Sequence, residues 1–147
     1  MMVKTVIIGG VPEGFDADII LRQMQRDERS LMHIARDDKR LAAFAEAVRF
    51  FAPDMHVIRF PAWDCLPYDR VSPNAEISAQ RMATLAGLVH GISKQFILLT
   101  TLNAAMQRVP ARQVLRDAAF RAEVGRPIDE EALRSFLVRM GFSKAPT

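Results

Sequence analysis

Cysteine is almost absent from this sequence: Cys65 stands alone among 147 residues, so no disulfide can form within the chain. Such scarcity is typical of proteins in a reducing compartment, and we expect a cytoplasmic location. No apolar run approaches the roughly 20 residues that a membrane-spanning helix needs. The N-terminus also lacks the charged, apolar and small-residue order of a signal peptide. We therefore expect neither secretion nor a membrane partner.

Acidic residues are missing between Ile77 and Arg116, although the chain contains 17 Asp and Glu in all. The basic residues that remain in this tract are Arg81, Lys94, Arg108, Arg112 and Arg116. The tract could face nucleic-acid phosphates or an acidic protein surface. Alternatively, its arginines could pair with carboxylates from elsewhere in the fold. The net charge of +3 is too small to require a nucleic-acid partner by itself.

A phosphate-binding loop is present in outline but lacks its two functional side chains. Gly9 and Gly14 have the Gly-x4-Gly spacing of the Walker A loop and follow a short apolar run. In a working loop, Lys and then Ser or Thr come next and hold the phosphates and Mg²⁺. Here Phe15 and Asp16 take those places, and a carboxylate repels phosphate. Either the loop belongs to a nucleotide fold that no longer uses nucleotide, or two glycines simply form a turn.

The remaining sequence alternates short apolar runs with helical periodicity, which predicts an α/β fold. The predicted strands are Lys4–Gly9, Leu31–Ala35, His56–Phe60, Phe96–Thr100 and Phe120–Val124. The predicted helices are Asp16–Asp27, a helix capped by Asp37 and ended by Pro53, Glu76–Gly91, Leu102–Gln107, Ala111–Ala118 and one capped by Asp129. Continuous apolar strands between helices favour a mostly parallel sheet covered by helices on both faces.

The periodicity also predicts which sides of two helices face the core. For the helix over 76–91 the predicted buried residues are Ile77, Met82, Leu85, Leu88 and Val89. For the last helix they are Leu133, Phe136, Leu137 and Met140.

The sequence contains no recognisable set of catalytic groups. No carboxylate follows the strand over 96–100, where an ATPase would hold Mg²⁺. His33, His56 and His90 share no metal-ligand spacing with Cys65. We therefore predict no catalytic residue and no metal site.

The segment Pro61–Asn74 is a long loop that contains three prolines and the only Trp and Tyr, Trp63 and Tyr68. Loops at the carboxyl ends of parallel strands commonly bind ligands. The two aromatic residues could instead fix a proline-rich loop to the sheet.

The segment from Phe60 to Leu85 resembles a signature of the bacterial transcription-repair coupling factors (Mfd), Phe-Pro-x-Trp-[Asp/Glu]-x-Leu-Pro-Tyr-Asp…Ser-Pro…Glu-Ile-x-x-x-Arg. The residues singled out at matching positions are Trp63, Asp64, Pro67, Tyr68, Asp69, Glu76 and Arg81. Thr100–Pro110 matches the family's next signature, Thr/Asn-Ala-x-Met-Gln-Arg, and Gly125–Phe142 is also similar. The resemblance covers essentially the whole chain.

The resemblance implies that this chain is an N-terminal piece of such a factor, from a module similar to the damage-recognition protein UvrB. That module has the fold of a helicase or RecA-like ATPase lobe with a degenerate phosphate loop, as the changes at Phe15 and Asp16 suggest. Residues 1–118 would form this lobe. Residues 119–147 would begin the following subdomain and be truncated.

The family releases RNA polymerase stalled at DNA lesions with an ATP-driven motor and recruits the excision-repair protein UvrA. The motor and the UvrA-docking subdomain are expected to lie beyond this chain. The resemblance thus implies a non-catalytic scaffold that makes protein–protein and autoinhibitory contacts and needs no cofactor of its own. ATP, Mg²⁺, DNA, UvrA and RNA polymerase would be bound by the full-length protein.

Two other functions are possible. The chain could be an accessory DNA-binding module that uses Arg81, Arg108 and Arg112 of the acid-free tract. It could also be a small independent enzyme with a site in the loop Trp63–Asp69, but no acid, base and nucleophile set is present there.

Overall fold

Three parallel strands form the centre of the fold. The structure, a computed structural model, describes residues 5–65, 70, 72–120, 122–143 and 145. The strands are β1 (Leu31–Ala35), β2 (His56–Phe60) and β3 (Phe96–Thr101), in the order β1-β3-β2. Leu98 of β3 is in register with Met32 on one side and with Ile58 on the other. The parallel α/β sheet predicted from the sequence is confirmed.

Six helices accompany these strands in the part of the chain that is described. They are α1 (Phe15–Asp27), α2 (Asp38–Phe51), α3 (Ala75–His90), α4 (Leu102–Met106), α5 (Arg112–Asp117) and α6 (Glu130–Arg139). Each helix overlaps a predicted one, and the predicted cap at the start of α2 is present. There the Asp37 carboxylate accepts a hydrogen bond from the backbone N–H of Arg40. None of the helices described has the length and apolar character that crossing a bilayer requires.

The central strand β3 presents buried side chains to both faces of the sheet. On one face Ile97 and Leu99 pack with α1 and α2, where Met24 and Val48 are among the fully buried residues. On the other face Leu98 packs with Phe60, Ala104 of α4 and partly buried leucines of α3. Burial on both faces explains why β3 is apolar over most of its length.

Two of the predicted strands are not strands in the structure. Residues 5–9 of the predicted Lys4–Gly9 strand are irregular, with Ile7 91% exposed, and Lys4 lies outside the described residues. The described residues of the predicted Phe120–Val124 strand are irregular as well. A strand needs a neighbour to satisfy its backbone N–H and C=O groups, which local composition cannot reveal.

The predicted buried side of α3 is partly wrong. Met82 is exposed, whereas Arg81 and Thr84 are the buried residues of this helix. The reason is that both polar side chains find backbone acceptors at β2 and the loop after it. The Thr84 hydroxyl donates to the carbonyl oxygen of Arg59 at 2.8 Å, for example.

The last helix also differs from its prediction. Asp129 caps α6 as expected, since its carboxylate accepts from the N–H of Ala132. No residue of α6 is buried, however, and the predicted core residues Leu137 and Met140 are exposed. The periodicity identifies an apolar side correctly, but among the described residues little covers it beyond the contact between the Phe136 and Phe120 rings.

Candidate functional site

The start of α1 borders a groove of about 640 Å³. Its lining residues are Ile8, Gly10, Val11, Pro12, Glu13, Gly14, Asp16, Ile19, Ile20, Arg40, Ala43 and Phe44. The sequence pattern Gly-x4-Gly therefore contributes to a concave surface at a helix N-terminus. Because residues 5–9 form no strand, the strand–loop–helix context of a phosphate loop is incomplete in this structure.

The turn that leads into α1 depends on glycine. Gly14 is the N-cap of α1 and has a φ of 85°, in the left-handed region that favours glycine. The backbone N–H of Phe15 donates to the carbonyl oxygen of Pro12 at 3.1 Å and closes the turn. This N–H group is thus engaged with the chain itself.

The electrostatics of the groove disfavour a phosphate ligand. Asp16 lies in the first turn of α1, and its carboxylate accepts from the backbone N–H of Ala17 at 3.0 Å. In a phosphate-binding helix start such an N–H group is left for the anion. Glu13 adds a second carboxylate to the lining, against the single guanidinium of Arg40. The groove therefore carries one more negative than positive side chain.

Phe15 leaves the groove open. Its ring is half exposed and meets the Phe51 ring edge-on at 6.0 Å between centroids, which joins the start of α1 to the end of α2. Phe15 is not among the residues that line the groove.

Phe44, which lines the groove, also takes part in an aromatic stack. The His33 imidazole of β1 lies parallel to the Phe44 ring at 3.7 Å between centroids. Burial lowers the pKa of His33, and the nearby Asp16 carboxylate offsets part of that effect. The burial of His33 therefore favours the neutral imidazole.

A buried arginine organises the loop after β2. Arg81 is 1% exposed, and its guanidinium lies between the Phe60 ring at 4.2 Å and the Trp63 ring at 4.5 Å. The same group donates to the Pro61 carbonyl and to the side-chain oxygen of Gln107. We call Phe60, Pro61, Trp63, Arg81 and Gln107 the Arg81 cluster.

Gln107 ties the Arg81 cluster to the chain that follows α4. Its side-chain oxygen accepts from Arg81 at 3.1 Å and from the backbone N–H of Trp63 at 2.9 Å. Arg81 Nε is buried and has no partner among the described residues, and burial lowers the pKa of this guanidinium. The cluster has a structural role, because it holds the loop after β2 against α3 through Trp63 and Arg81. The buried Arg81 is inaccessible to a phosphate.

The remaining signature residues differ in their environments. The Asp64 carboxylate accepts from the backbone N–H of Asn74, which draws the two ends of the loop together. Glu76 is exposed in the first turn of α3, and its N–H donates to the Asn74 side chain. Pro67, Tyr68 and Asp69 lie outside the described residues. The structure therefore gathers Trp63 and Arg81 together, with Asp64 holding the loop nearby.

Arg108 and Arg112 are both exposed, so the structure leaves these two tract residues available for contacts. The end of β3 offers no acidic group: Thr100 donates to the Phe60 carbonyl, and the Thr101 hydroxyl caps α4. Within the described ranges, no three His, Cys, Asp or Glu side chains are grouped as a metal site would require.

Sequence reasoning missed Gln107 as an organising residue. The residue stands in the quoted Met-Gln-Arg run, which is a usable signal. Its partners Trp63 and Arg81 are 44 and 26 residues away, so no local pattern could pair them.

Comparison with known proteins gives one consistent result. The chain is 34% identical to the transcription-repair-coupling factor of Myxococcus xanthus over 124 residues, covering 79% of this chain and 10% of that protein. It is 28% identical to the factor of Haemophilus influenzae and 26% identical to that of Escherichia coli, each over 136 residues, 92% of this chain and 12% of the relative. No protein-family model matches. The chain thus spans about a tenth of the length of these relatives.

Proposed function

Since this chain is related to the transcription-repair coupling factors over most of its length, we propose that it is a non-catalytic scaffold segment of such a factor. We propose that its sheet and helices are a RecA-like lobe whose phosphate loop has degenerated. The lobe would serve contacts with other domains of the parent protein, including autoinhibitory ones, in the cytoplasm. UvrA, RNA polymerase and DNA would be reached through the full-length protein.

One observation carries this proposal: the carboxylate of Asp16 engages the Ala17 N–H at the helix start where a phosphate would bind. Phe15 and Asp16 replace the cation and hydroxyl that a triphosphate and its Mg²⁺ need. A second carboxylate, Glu13, lines the same groove. ATP and Mg²⁺ would therefore be used by the motor of the parent protein and not by this segment.

Titration calorimetry with ATP and Mg²⁺ tests the proposal. We expect no saturable heat below millimolar nucleotide and no hydrolysis by the wild-type chain. The double variant Phe15→Lys/Asp16→Thr restores the residue types of a working loop and is the matched comparison; its ATP affinity should exceed that of the wild type. Micromolar wild-type affinity, or Mg²⁺-dependent turnover, would refute the proposal.

An accessory DNA-binding role is the second candidate, favoured by the exposure of Arg108 and Arg112. The burial of Arg81 removes one of the three arginines on which it relied. This role requires duplex affinity that falls steeply as salt increases. Unmeasurable affinity at low salt would eliminate it.

A further inference from the structure

We propose that residues 106–116, which we call the α4–α5 surface, dock an acidic protein segment that also carries apolar side chains. Every residue from Met106 to Arg116 is exposed except Gln107 and Leu115. Those two hold the stretch in place, Gln107 through the Arg81 cluster and Leu115 through burial beside α3. The rest of the stretch is therefore a fixed outward surface.

The arginines of the α4–α5 surface have no ion-pair partner among the described residues. Arg108, Arg112 and Arg116 are exposed, and none of them forms an ion pair with a described residue. Asp117 is the nearest acid in sequence, but its carboxylate accepts from the neutral Gln113 amide and forms no ion pair with these arginines. The helix α3, which packs against α5, has Glu76 as its only acid, in its first turn.

Arginines without ion-pair partners favour an acidic partner. Arg112 and Arg116 are four residues apart on α5, and like charges at that spacing on a helix repel each other. A partner carboxylate between them would relieve the repulsion and could accept paired hydrogen bonds from a guanidinium.

The apolar residues of the α4–α5 surface favour protein over nucleic acid. Met106 is 79% exposed, Val109 49% and Val114 57%, and they are interleaved with the arginines. Arginine and methionine are enriched at protein interfaces, whereas apolar side chains gain nothing against phosphate. In addition, α5 has only six residues, which is short for a helix that reads a DNA groove.

Fluorescence anisotropy with a labelled synthetic peptide tests this inference on the full 147-residue chain. The peptide carries Leu at i, i+3, i+4 and i+7 and Glu elsewhere. The double variant Arg112→Glu/Arg116→Glu should bind it about tenfold more weakly at low salt. The variant Val109→Ser should bind about threefold more weakly with an unchanged salt dependence. Amide NMR shifts caused by the peptide should concentrate in residues 106–116.

The control is Arg26→Glu/Arg29→Glu, which makes the same charge change on exposed residues at and after the end of α1. This variant should retain affinity within about twofold. Equal weakening by the control, absence of peptide binding, or shifts spread over other surfaces would overturn the inference. Tighter binding of a duplex DNA probe, with no effect of Val109→Ser, would assign the surface to nucleic acid instead.

If the charge reversal prevents folding, Val109→Ser and the NMR shifts still decide the question. The α4–α5 surface contains none of the residues that line the groove at α1. If the peptide does not bind, the proposed scaffold role is unaffected. That role is tested separately by the ATP titration.

Discussion

At the residue scale, Arg81 shows how a cation can occupy a core position that helical periodicity assigns to apolar residues. Its guanidinium is stacked between Phe60 and Trp63, and both rings belong to a segment about 20 residues earlier in the chain. Two side-chain hydrogen bonds compensate part of the lost hydration. A planar, delocalised cation suits this space better than an ammonium group does.

We predict that Arg81→Lys lowers the free energy of unfolding by about 2 kcal/mol, because the shorter ammonium loses the contact with the two rings and the hydrogen bonds that Arg81 Nη1 donates. Urea denaturation followed by circular dichroism measures this change. The control Arg112→Lys alters an exposed arginine of the same tract and should stay within about 0.5 kcal/mol of the wild type. Equal effects of the two substitutions would show that the contacts of the Arg81 cluster do not stabilise the fold.

A second residue-scale prediction concerns His33, whose pKa is lowered in the folded chain by burial. The unfolded chain binds a proton at about pH 6.5, whereas the folded chain binds it only at lower pH. The unfolded state therefore holds more protons in that interval. The contribution of neutral His33 to the free energy of unfolding is fully present above about pH 6.5 and is lost as the pH falls toward the folded pKa.

The variant His33→Phe keeps a ring against Phe44 but cannot titrate, so its stability should fall less between neutral and mildly acidic pH. Urea midpoints across that range provide the measurement. Met32→Leu, a change at an exposed neighbour in β1 that leaves the imidazole in place, should reproduce the wild-type pH profile. If the pH profile of His33→Phe equals that of the wild type, the pH dependence of stability does not come from His33.

At the element scale, the sequence predicts the three central strands well because each is a short apolar run between turn residues. β1 and β2 have their predicted bounds, and β3 is one residue longer. The run Val6–Ile8 has the same composition yet remains exposed and irregular. Composition measures strand propensity, whereas a strand forms only where another strand pairs with it.

The start of α1 allows an element-scale prediction. Gly14→Ala should lower the free energy of unfolding by about 1 kcal/mol, because an L side chain at a φ of 85° is strained. An added Cβ would meet only Ala47 Cβ at 4.0 Å, so the cost is conformational and not steric. Thermal unfolding measures it.

Gly9→Ala is the matched comparison for this prediction. Gly9 has no left-handed φ, and nothing lies within 4 Å of the position that its Cβ would occupy. Its stability should equal that of the wild type or slightly exceed it. If Gly9→Ala lowers the free energy of unfolding as much as Gly14→Ala does, the left-handed φ of Gly14 is not the cause of the destabilisation.

At the scale of the whole molecule, the candidate site was predictable only in part. The spacing of Gly9 and Gly14 and the changes at Phe15 and Asp16 are local, so the sequence alone identifies them. Arg40 and Phe44 complete the groove from α2, and only the packing of α1 against α2 brings them there. The same limit applies to Gln107 and Trp63, whose contact depends on the arrangement of β2 and α4.

We propose above that the groove at α1 cannot hold a nucleoside triphosphate. The most direct measurement is an amide NMR titration of the chain with ATP and Mg²⁺, following Gly10, Gly14 and Ala17. We expect these signals to keep their positions up to millimolar nucleotide, because Asp16 engages the Ala17 N–H and Phe15 stands at the position of the P-loop lysine. Saturable, Mg²⁺-dependent shifts of these three amides at micromolar ATP would contradict the account.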